Sequence, residues 1–358
     1  MVLGSDKKDV VEVLVLACIP MNSRQLASSD NTYSTGKRVY HFNMDSMAEG
    51  RRPDILVVRN KCVKSRTEFD VPQANTLLLM SEPWSVVKFP RRYTDQFGMV
   101  YSCQECVRHK HIVYGPAAIW WFVGIDKNGR QTPEHIGSIT YNALKNSPLP
   151  QKTKEMSIIV SNKTFSAGHL KRFHFVRKLK QRYGDRIDFF GKDFKPVVDK
   201  WDALAPYKYT IAIENSSERF YFTEKIMDGF LAGCHVVYNG CTNIGDYFPQ
   251  PAMTWLNTDD FEAACRTIDG LLDSDTYERS IPDIVEARRR TLDDYNFLHV
   301  IARCCDQMEL EDHSAGNAVI RPLTGLGNIP NVVNHLFVRP FYQLLSKLVR
   351  FFSKSMCC

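Results

Sequence analysis

Polar side chains are frequent between the end of a predicted strand and the first turn of a predicted helix. The apolar run 210–213 predicts the strand, and apolar residues at helical spacing predict a helix over 222–233. Thr223 is a suitable N-cap for that helix. Because ligands bind at the carboxyl ends of strands in open α/β sheets, this stretch is the first candidate for a site. The candidate site residues in it are Glu214, Asn215, Tyr221, Thr223, Glu224 and Lys225.

Lys225 stands in the first turn of this helix, where its positive charge opposes the helix dipole. A lysine suits this position if an anion binds there, because free backbone N–H groups also attract negative charge. The alternative interpretation is a surface ion pair at a helix cap, which contributes little energy. The convergence of Thr223, Glu224 and Lys225 after one strand favours the anion site.

This region resembles the signature of the α-1,3-fucosyltransferases that use GDP-fucose, the enzymes of glycosyltransferase family ten. The resemblance rests on Glu214-Asn215 and on residues 221–225, Tyr-Phe-Thr-Glu-Lys, and it continues through Gly233. It is close over residues 155–262 and looser before them. It implies an α/β fold of the GT-B type, in which two Rossmann-like domains face a central cleft and the C-terminal domain holds the nucleotide.

Residue roles follow from the same resemblance. Lys225 is similar to the lysine that neutralises the diphosphate of GDP-fucose. Glu224 matches the carboxylate beside it, which contacts the ribose or the fucosyl ring. The other residues of the motif to which the resemblance assigns donor binding are Glu214, Asn215, Tyr221 and Thr223.

The resemblance also implies a second phosphate-binding cation upstream. Residues 160–162, Val-Ser-Asn, and Arg172 in the following predicted helix are similar to a strand and an arginine-bearing helix of the family. Arginine suits this role because its planar guanidinium binds phosphate through two hydrogen bonds. The alternative is a solvated basic helix face, since four other basic residues lie between 171 and 180.

The catalytic base is expected in the N-terminal half. A strand predicted over 76–80 ends directly before Ser81, Glu82 and Pro83. A carboxylate at a strand end that faces a cleft suits proton removal from an acceptor hydroxyl, and family enzymes carry a glutamate at a similar place. The alternative is that Glu82 only caps the turn before Pro83. With Glu224 as the second catalytic carboxylate, we expect a transfer that inverts the configuration of the sugar.

Two tryptophans and a possible zinc site each admit a structural alternative. Trp120 and Trp121, with Pro116, form either an apolar platform for a sugar ring or part of the core. Cysteines and histidines at zinc-ligand spacing offer four ligands, but buried thiols and solvated histidines are favoured. These four residues are Cys103, Cys106, His109 and His111.

No metal or other cofactor is expected. The Asp-Ser-Asp triplet at 273–275 is similar to a metal-binding motif of another glycosyltransferase fold, but its predicted position between helices argues against that role. Arg172 and Lys225 would supply the positive charge that stabilises the leaving diphosphate.

Alternating strands and helices must position these residues. The predicted strands cover 11–18, 38–42, 55–59, 76–80, 99–102, 111–114, 156–160, 187–190, 209–213 and 235–238, and the late helical patterns cover 259–273 and 276–310. This rhythm predicts doubly wound parallel sheets. We predict an N-terminal acceptor-binding domain over 1–145, a GDP-fucose-binding domain over 155–330 and a tail over 331–358.

The tail carries most of the net charge of +6, because residues 313–358 contain five basic residues and no acidic one. Apolar residues recur with helical spacing over 341–352, beside Lys347, Arg350 and Lys354. This pattern predicts a basic amphipathic helix that binds an anionic membrane surface. The alternative is a helix that packs on its own protein. The nearly neutral remainder argues against a nucleic-acid partner.

The expected location is cytoplasmic, peripheral on the inner face of the membrane. The first residues lack the basic start and long apolar core of a signal peptide, and the eleven cysteines are expected to be reduced. A basic tail resembles that of bacterial enzymes that modify lipopolysaccharide.

The expected activity is therefore inverting transfer of L-fucose from GDP-fucose to a glycan acceptor, at O3 of N-acetylglucosamine in a surface glycan such as lipopolysaccharide O-antigen. The alternatives are a related GT-B transferase with another nucleotide-sugar, and a catalytically inactive membrane-attached protein that binds glycan or nucleotide.

Overall fold

The computed structural model describes residues 10–18, 25–26, 28, 30–126, 128–164, 166–323, 340–341 and 343–344. Two mainly parallel sheets build two α/β units that share a cleft, which confirms the predicted fold class. The predicted tail helix lies almost entirely outside the described residues and stays a prediction. None of the helices within the described ranges is long and apolar enough to cross a membrane.

The first unit contains a seven-stranded sheet. In spatial order its strands are β2 (Thr32–Ser34), β3 (Val39–Met44), β1 (Val10–Leu16), β4 (Ile55–Arg59), β6 (Thr76–Met80), β7 (Met99–Ser102) and β8 (Ile112–Tyr114). Only β2 and β3 pair antiparallel. Every residue of β4 and β6 is buried, since both faces of the sheet are covered, and this explains their continuous apolar sequences. The short helices α1 (Arg91–Thr94) and α2 (Tyr141–Asn146) belong to the same half of the chain.

The second unit contains a five-stranded parallel sheet. In spatial order its strands are β10 (Asp188–Phe190), β9 (Lys154–Ile159), β11 (Tyr207–Ile213), β12 (His235–Asn239) and β13 (Met253–Trp255). The helices that follow its strands are α3 (Ala167–Tyr183), α4 (Glu224–Leu231), α5 (Phe261–Leu272) and α6 (Thr276–Asp293). Apolar side chains of α3, α4, α5 and α6 join those of the strands in one core.

The chain returns to the first unit after α6, which corrects the predicted domain boundary at 330. Helix α7 (Phe297–Cys305) buries eight of its nine residues and shares a core with strands of the first sheet. Strand β14 (Ala318–Ile320) pairs antiparallel with β5 (Thr67–Phe69). Residues 297–320 therefore complete the N-terminal unit, because the apolar surface of α7 is buried there.

The single helical region predicted over 276–310 is two helices. Asn296 separates them: its side chain accepts a hydrogen bond from the backbone N–H of Leu298 at 3.0 Å and so caps α7. The same side chain donates to the Gln25 carbonyl at 2.6 Å. Asn296 thus fixes both the start of α7 and its attachment to the first unit.

Candidate active site

A cleft of about 970 Å³ lies between the two units. This volume is in the range of pockets that hold small organic ligands. Eight lysines and arginines and four carboxylates line it among the described residues, so an anionic ligand is favoured. Of the predicted site residues, those that line the cleft are Glu82, Arg172, Asn215, Tyr221, Thr223, Glu224 and Lys225.

Glu214 does not line the cleft, which corrects its expected role in direct donor binding. It follows β11, and its side chain is fully covered. One carboxylate oxygen accepts from the backbone N–H of Thr223 at 2.9 Å and from its hydroxyl at 2.8 Å, and the other lies 2.9 Å from Lys225 Nζ. These contacts occupy the carboxylate, so Glu214 positions Thr223 and Lys225.

Thr223 caps α4, as the sequence predicts. Its hydroxyl oxygen lies 3.5 Å from the backbone nitrogen of Lys225 and accepts a hydrogen bond from Lys225 Nζ at 2.8 Å. Lys225 Nζ therefore lies over the first turn of α4 and lines the cleft. The expected electrostatic conflict between lysine and helix dipole is relieved by Glu214 and by Glu224, whose carboxylate is 3.6 Å from the ammonium.

Glu224 is held ionised by two lysines. Its carboxylate is 3.4 Å from Lys200 Nζ as well as near Lys225. Although burial raises the pKa of Glu224, the charges of Lys225 and Lys200, with hydrogen bonds from Thr223 and Lys200, lower it to about 2. A carboxylate with this pKa stays charged at neutral pH and suits stabilisation of positive charge on a bound sugar.

Sequence analysis missed Lys200 and Asp228. Asp228 lies one turn after Glu224 in α4, is almost completely buried, and is 2.8 Å from Lys200 Nζ. Its other oxygen accepts the backbone N–H groups of Phe122 at 2.8 Å and Val123 at 3.4 Å. The signal that could have identified Asp228 is an acidic residue inside an apolar helix pattern. Asp228 attaches α4 to the backbone of 122–123 beside the cleft.

Asp199 makes a second attachment of the same kind. Its completely buried carboxylate accepts the backbone N–H of Gly124 at 2.9 Å and the hydroxyl of Thr132 at 2.5 Å. It also caps the turn that carries Lys200, through the N–H of Trp201 at 2.8 Å. Three consecutive backbone N–H groups of 122–124 are thus bound by two buried carboxylates of the second unit.

Arg172 lies on α3 with its guanidinium buried at the cleft, so the solvated basic face is not its environment. Its terminal nitrogens make only long hydrogen bonds to described residues, at 3.4 Å to the Ile213 carbonyl and 3.3 Å to Ser161 Oγ, and Nε has no partner among those residues. Burial lowers its pKa, and Glu214 partly offsets this. A buried guanidinium with weak protein contacts fits a phosphate ligand.

A close backbone approach fixes the start of α3. Gly168 lies in its first turn, and a Cβ atom at this position would stand 2.0 Å from the carbonyl oxygen of Asn215. Only glycine allows this contact between α3 and the loop after β11. On the same loop, the Asn215 side chain accepts a hydrogen bond from the Tyr221 hydroxyl at 2.9 Å. Asn215 and Tyr221 therefore form one wall beside Arg172.

Glu82 faces these residues from the first unit. Its backbone carbonyl accepts hydrogen bonds from Gln104 Nε2 at 2.8 Å and from Cys103 Sγ at 3.5 Å, which fix the loop after β6. Burial raises the pKa of its carboxyl group, against the charges of Arg59 and Lys225. Glu82 thus shares the cleft with Lys225, where a base would meet an acceptor hydroxyl.

The tryptophans and the cysteine–histidine group have structural environments. Trp121 belongs to a buried cluster, whereas Trp120 is buried and also lines the cleft, 5.1 Å below the guanidinium of Arg59. Cys103 is in a core with Tyr221, and Cys106 is exposed. Within the described part of the chain, no group of histidine, cysteine and carboxylate side chains is arranged to hold a metal ion.

Comparisons with known proteins agree with the motif. Residues 149–280 match the family model of the glycosyltransferase family 10 (fucosyltransferase) C-terminal region. A fucosyltransferase-like protein of Arabidopsis thaliana is 37% identical over 67 residues, which are 18% of this chain and 13% of that protein. The chain thus matches only a small part of this curated relative.

Two solved structures are similar over most of the chain. An α1,3-fucosyltransferase crystallised with GDP-fucose has 13% identity and a TM-score of 0.47, and the match covers 87% of this chain and 96% of that one. One crystallised with GDP has 13% identity and a TM-score of 0.46, with 82% and 94% covered. The family match at 149–280 includes Arg172, Glu224 and Lys225. It confirms, for that segment, the resemblance to the fucosyltransferases of glycosyltransferase family 10.

Proposed function

We propose that the protein transfers L-fucose from GDP-fucose to a hydroxyl group of a glycan. The observation that carries this proposal is the family match over 149–280 together with the convergence of Arg172, Glu224 and Lys225 in one cleft. The diphosphate would lie between Arg172 and Lys225. Both cations come from the second unit, next to Asn215 and Tyr221, so this unit holds the donor.

The proposed chemistry is a single displacement with inversion. Glu82 removes the proton of the acceptor hydroxyl as the oxygen attacks the anomeric carbon, and its raised pKa makes it a stronger base than an exposed glutamate. Negative charge develops on the leaving diphosphate and is stabilised by Arg172 and Lys225. Glu224, kept ionised by its two lysines, favours the positive charge that develops on the fucosyl ring. We propose that these cations make a metal ion unnecessary.

The proposed acceptor position is O3 of N-acetylglucosamine in a surface glycan such as lipopolysaccharide O-antigen. The proposed location is the inner face of a membrane, reached through the basic residues of 331–358. Vesicle flotation tests this part separately. The full chain should bind vesicles that contain anionic lipid and not neutral ones, and equal binding to both would contradict the electrostatic proposal.

Turnover with a set of donors tests the activity. The intact protein is incubated with N-acetyllactosamine and, separately, GDP-fucose, GDP-mannose, UDP-galactose or UDP-N-acetylglucosamine, with and without EDTA. We expect transfer and slow hydrolysis with GDP-fucose alone, unchanged by EDTA. NMR of the product then gives the linkage and the anomeric configuration.

Each other outcome identifies an alternative. Activity with a different donor would show that the donor is not GDP-fucose, whereas the assignment of the site residues would stand. GDP binding without turnover of any donor, tested with several glycan acceptors, would favour the catalytically inactive binding protein. A loss of activity with EDTA that added Mg²⁺ or Mn²⁺ restores would contradict the proposed independence of metal.

A further inference from the structure

A buried arginine of the first unit lacks partners for most of its hydrogen-bond donors. Arg59 ends β4 and is only 5% exposed. Its Nε donates to Ser81 Oγ at 3.1 Å, and its guanidinium stacks on Trp120 at 5.1 Å. Its two terminal nitrogens make no hydrogen bond to any described residue, yet Arg59 lines the cleft. The terminal nitrogens keep access to the cleft, where an anionic ligand can pair with this otherwise buried cation.

Arg59 belongs to the wall that carries Glu82, opposite the proposed donor site. Ser81, which binds Arg59 Nε, directly precedes Glu82 in the chain. The two charges influence each other, but they form no ion pair in the part of the chain that the structure describes. Both side chains line the cleft. A ligand that reaches Glu82 would pass beside Arg59.

The loop after β4 adds two more cations to this wall. Lys61 and Lys64 line the cleft, and neither forms an ion pair with a described carboxylate. The loop is fixed at its start, because Asn60 accepts the Ser81 N–H at 2.8 Å with its side chain and the Tyr93 hydroxyl at 2.9 Å with its carbonyl. The acidic residues that line the first unit's side are Glu82 and Asp126.

We propose that the acceptor is an acidic glycan whose carboxylate or sulfate group binds Arg59 while the attacking hydroxyl lies at Glu82. This inference rests on the proposed function and adds the acceptor class. Arg59 offers two terminal nitrogens to the anion, the bidentate geometry that carboxylate and sulfate oxygens accept. Lys61 and Lys64 attract the acidic acceptor to the mouth of the cleft. A neutral acceptor leaves the buried guanidinium without a partner.

The test compares matched acceptors. The intact protein receives GDP-fucose with N-acetyllactosamine, with the same disaccharide sulfated on its galactose, or with the same disaccharide carrying a carboxylate there. We expect kcat/KM for at least one acidic form to exceed that of the neutral form about tenfold or more, the scale of one charge-assisted hydrogen bond. Equal rates, or a preference for the neutral form, would overturn the proposal.

Variants assign the preference to Arg59. In Arg59→Gln, the ratio of acidic to neutral kcat/KM should fall to about one, whereas Arg91→Gln on the exposed helix α1 should keep it. If Arg59→Gln lowers both values equally and shifts the pH profile, Arg59 only tunes Glu82 and the proposal is wrong. A raised KM for GDP-fucose would likewise overturn it, because Arg59 would then bind the donor.

Two further results keep the test decisive. If Arg59→Gln does not fold, the double variant Lys61→Ser/Lys64→Ser, altered at two residues that line the cleft mouth, should still reduce the acidic preference several-fold at low salt. An unchanged preference there would overturn the role of this wall. Failure of the proposed function would look different from failure of the acidic-acceptor proposal. In that case no acceptor would be fucosylated and GDP-fucose would not be hydrolysed.

Discussion

The charged residues of the proposed donor site form an alternating row in which each charge is held by its neighbours. Lys225 lies between Glu214 at 2.9 Å and Glu224 at 3.6 Å, and Lys200 lies between Glu224 at 3.4 Å and Asp228 at 2.8 Å. All three carboxylates are buried. Removal of either lysine leaves a buried carboxylate, Glu214 or Asp228, without its ion-pair partner, so substitutions of the lysines mix effects on stability with effects on binding.

A double variant separates these effects at Lys225. Lys225→Met should lower the free energy of unfolding by about 3–5 kcal/mol, because it leaves the carboxylate of Glu214 buried and unpaired. Glu214→Gln/Lys225→Met should recover most of that loss. GDP affinity should fall about 10- to 100-fold in both variants, as expected for one charge-assisted contact. Urea unfolding and GDP calorimetry measure the two quantities. Recovered GDP affinity in the double variant would contradict direct contact with the diphosphate.

The pH dependence of turnover tests Glu82 as the base. Burial raises the pKa of Glu82 above its usual 4.5, and a base acts in its ionised form. Therefore kcat/KM should rise with pH through a value above 4.5 and then level off. The charged groups that act on Glu82 in the cleft are Arg59, Lys163, Lys225 and Glu224. An acid limb at or below pH 4.5 would argue against Glu82.

At the scale of elements, the starts of two helices place the site. Helix α4 begins at Glu224 after its Thr223 cap, and α3 begins at Ala167 beside the loop that follows β11. The approach of Gly168 to the Asn215 carbonyl sets the distance between Arg172 and that loop. The two proposed phosphate cations therefore depend on backbone contacts between neighbouring elements.

Substitution of Gly168 should separate these elements. The added Cβ of Gly168→Ala would meet the Asn215 carbonyl at 2.0 Å, so α3 or the loop must move and GDP affinity should fall. Gly270→Ala in α5 is the matched control, because nothing lies within 4 Å of its Cβ. The control should gain up to about 1 kcal/mol of stability from higher helix propensity and keep its affinity. Equal GDP affinity in both variants would contradict this account of α3.

Lys200 should stabilise the attachment of α4 in a manner that depends on pH. The pKa of Glu224, lowered to about 2 in the folded protein, makes its stabilising contribution complete above about pH 4.5 and lost as the pH falls toward 2. Lys200→Met should therefore destabilise the protein most at neutral pH, and the difference should shrink below pH 4.5. Lys200→Arg, which keeps the charge, is the control. A difference independent of pH, measured by urea unfolding, would exclude this electrostatic role.

The elements predicted from sequence were those with long apolar runs or a clear cap. Strands β4, β6 and β11 combine continuous apolar sequence with full or nearly full burial, so their pattern identifies them. Strands β5 and β14 have three residues each and pair with each other across about 250 residues of sequence. The break at Asn296 depends on packing against the first sheet. Local patterns contain no information about either kind of contact.

The same limit applies to the candidate site. The family motif identified Lys225, Glu224 and Arg172, and the structure brings them to one cleft. Glu214 lies in the motif, yet its carboxylate is enclosed by Thr223 and Lys225. Arg59 lies in no sequence motif. Only the structure singles it out, through its burial beside a cleft that distant segments of the chain form together.

At the scale of the whole molecule, the two units are joined by more than one passage of the chain. The chain passes from the first unit to the second and returns through α7, whose Phe297 lies 5.2 Å from the ring of Trp120. Asp199 and Asp228 attach the backbone of 122–124 to the second unit. Buried carboxylates therefore fix to the second unit the segment that follows the strands of the first sheet.

Thermal unfolding followed by calorimetry tests whether the two units unfold together. We expect one transition, because loss of either unit exposes α7 or the buried carboxylates of the other. Saturating GDP should raise the midpoint of the whole transition, since binding to the folded state stabilises everything that unfolds with it. Two transitions, of which GDP shifts only one, would show that the units unfold independently.

The most direct measurement is the rate of fucose transfer from GDP-fucose by the intact protein beside Glu82→Gln. The assay uses N-acetyllactosamine and its acidic forms, and GDP calorimetry accompanies it. We predict transfer by the intact protein, and in the variant a rate lower by about 100-fold or more with unchanged GDP affinity, as expected for loss of a general base. GDP binding without transfer to any acceptor, or a variant as fast as the intact protein, would contradict the account.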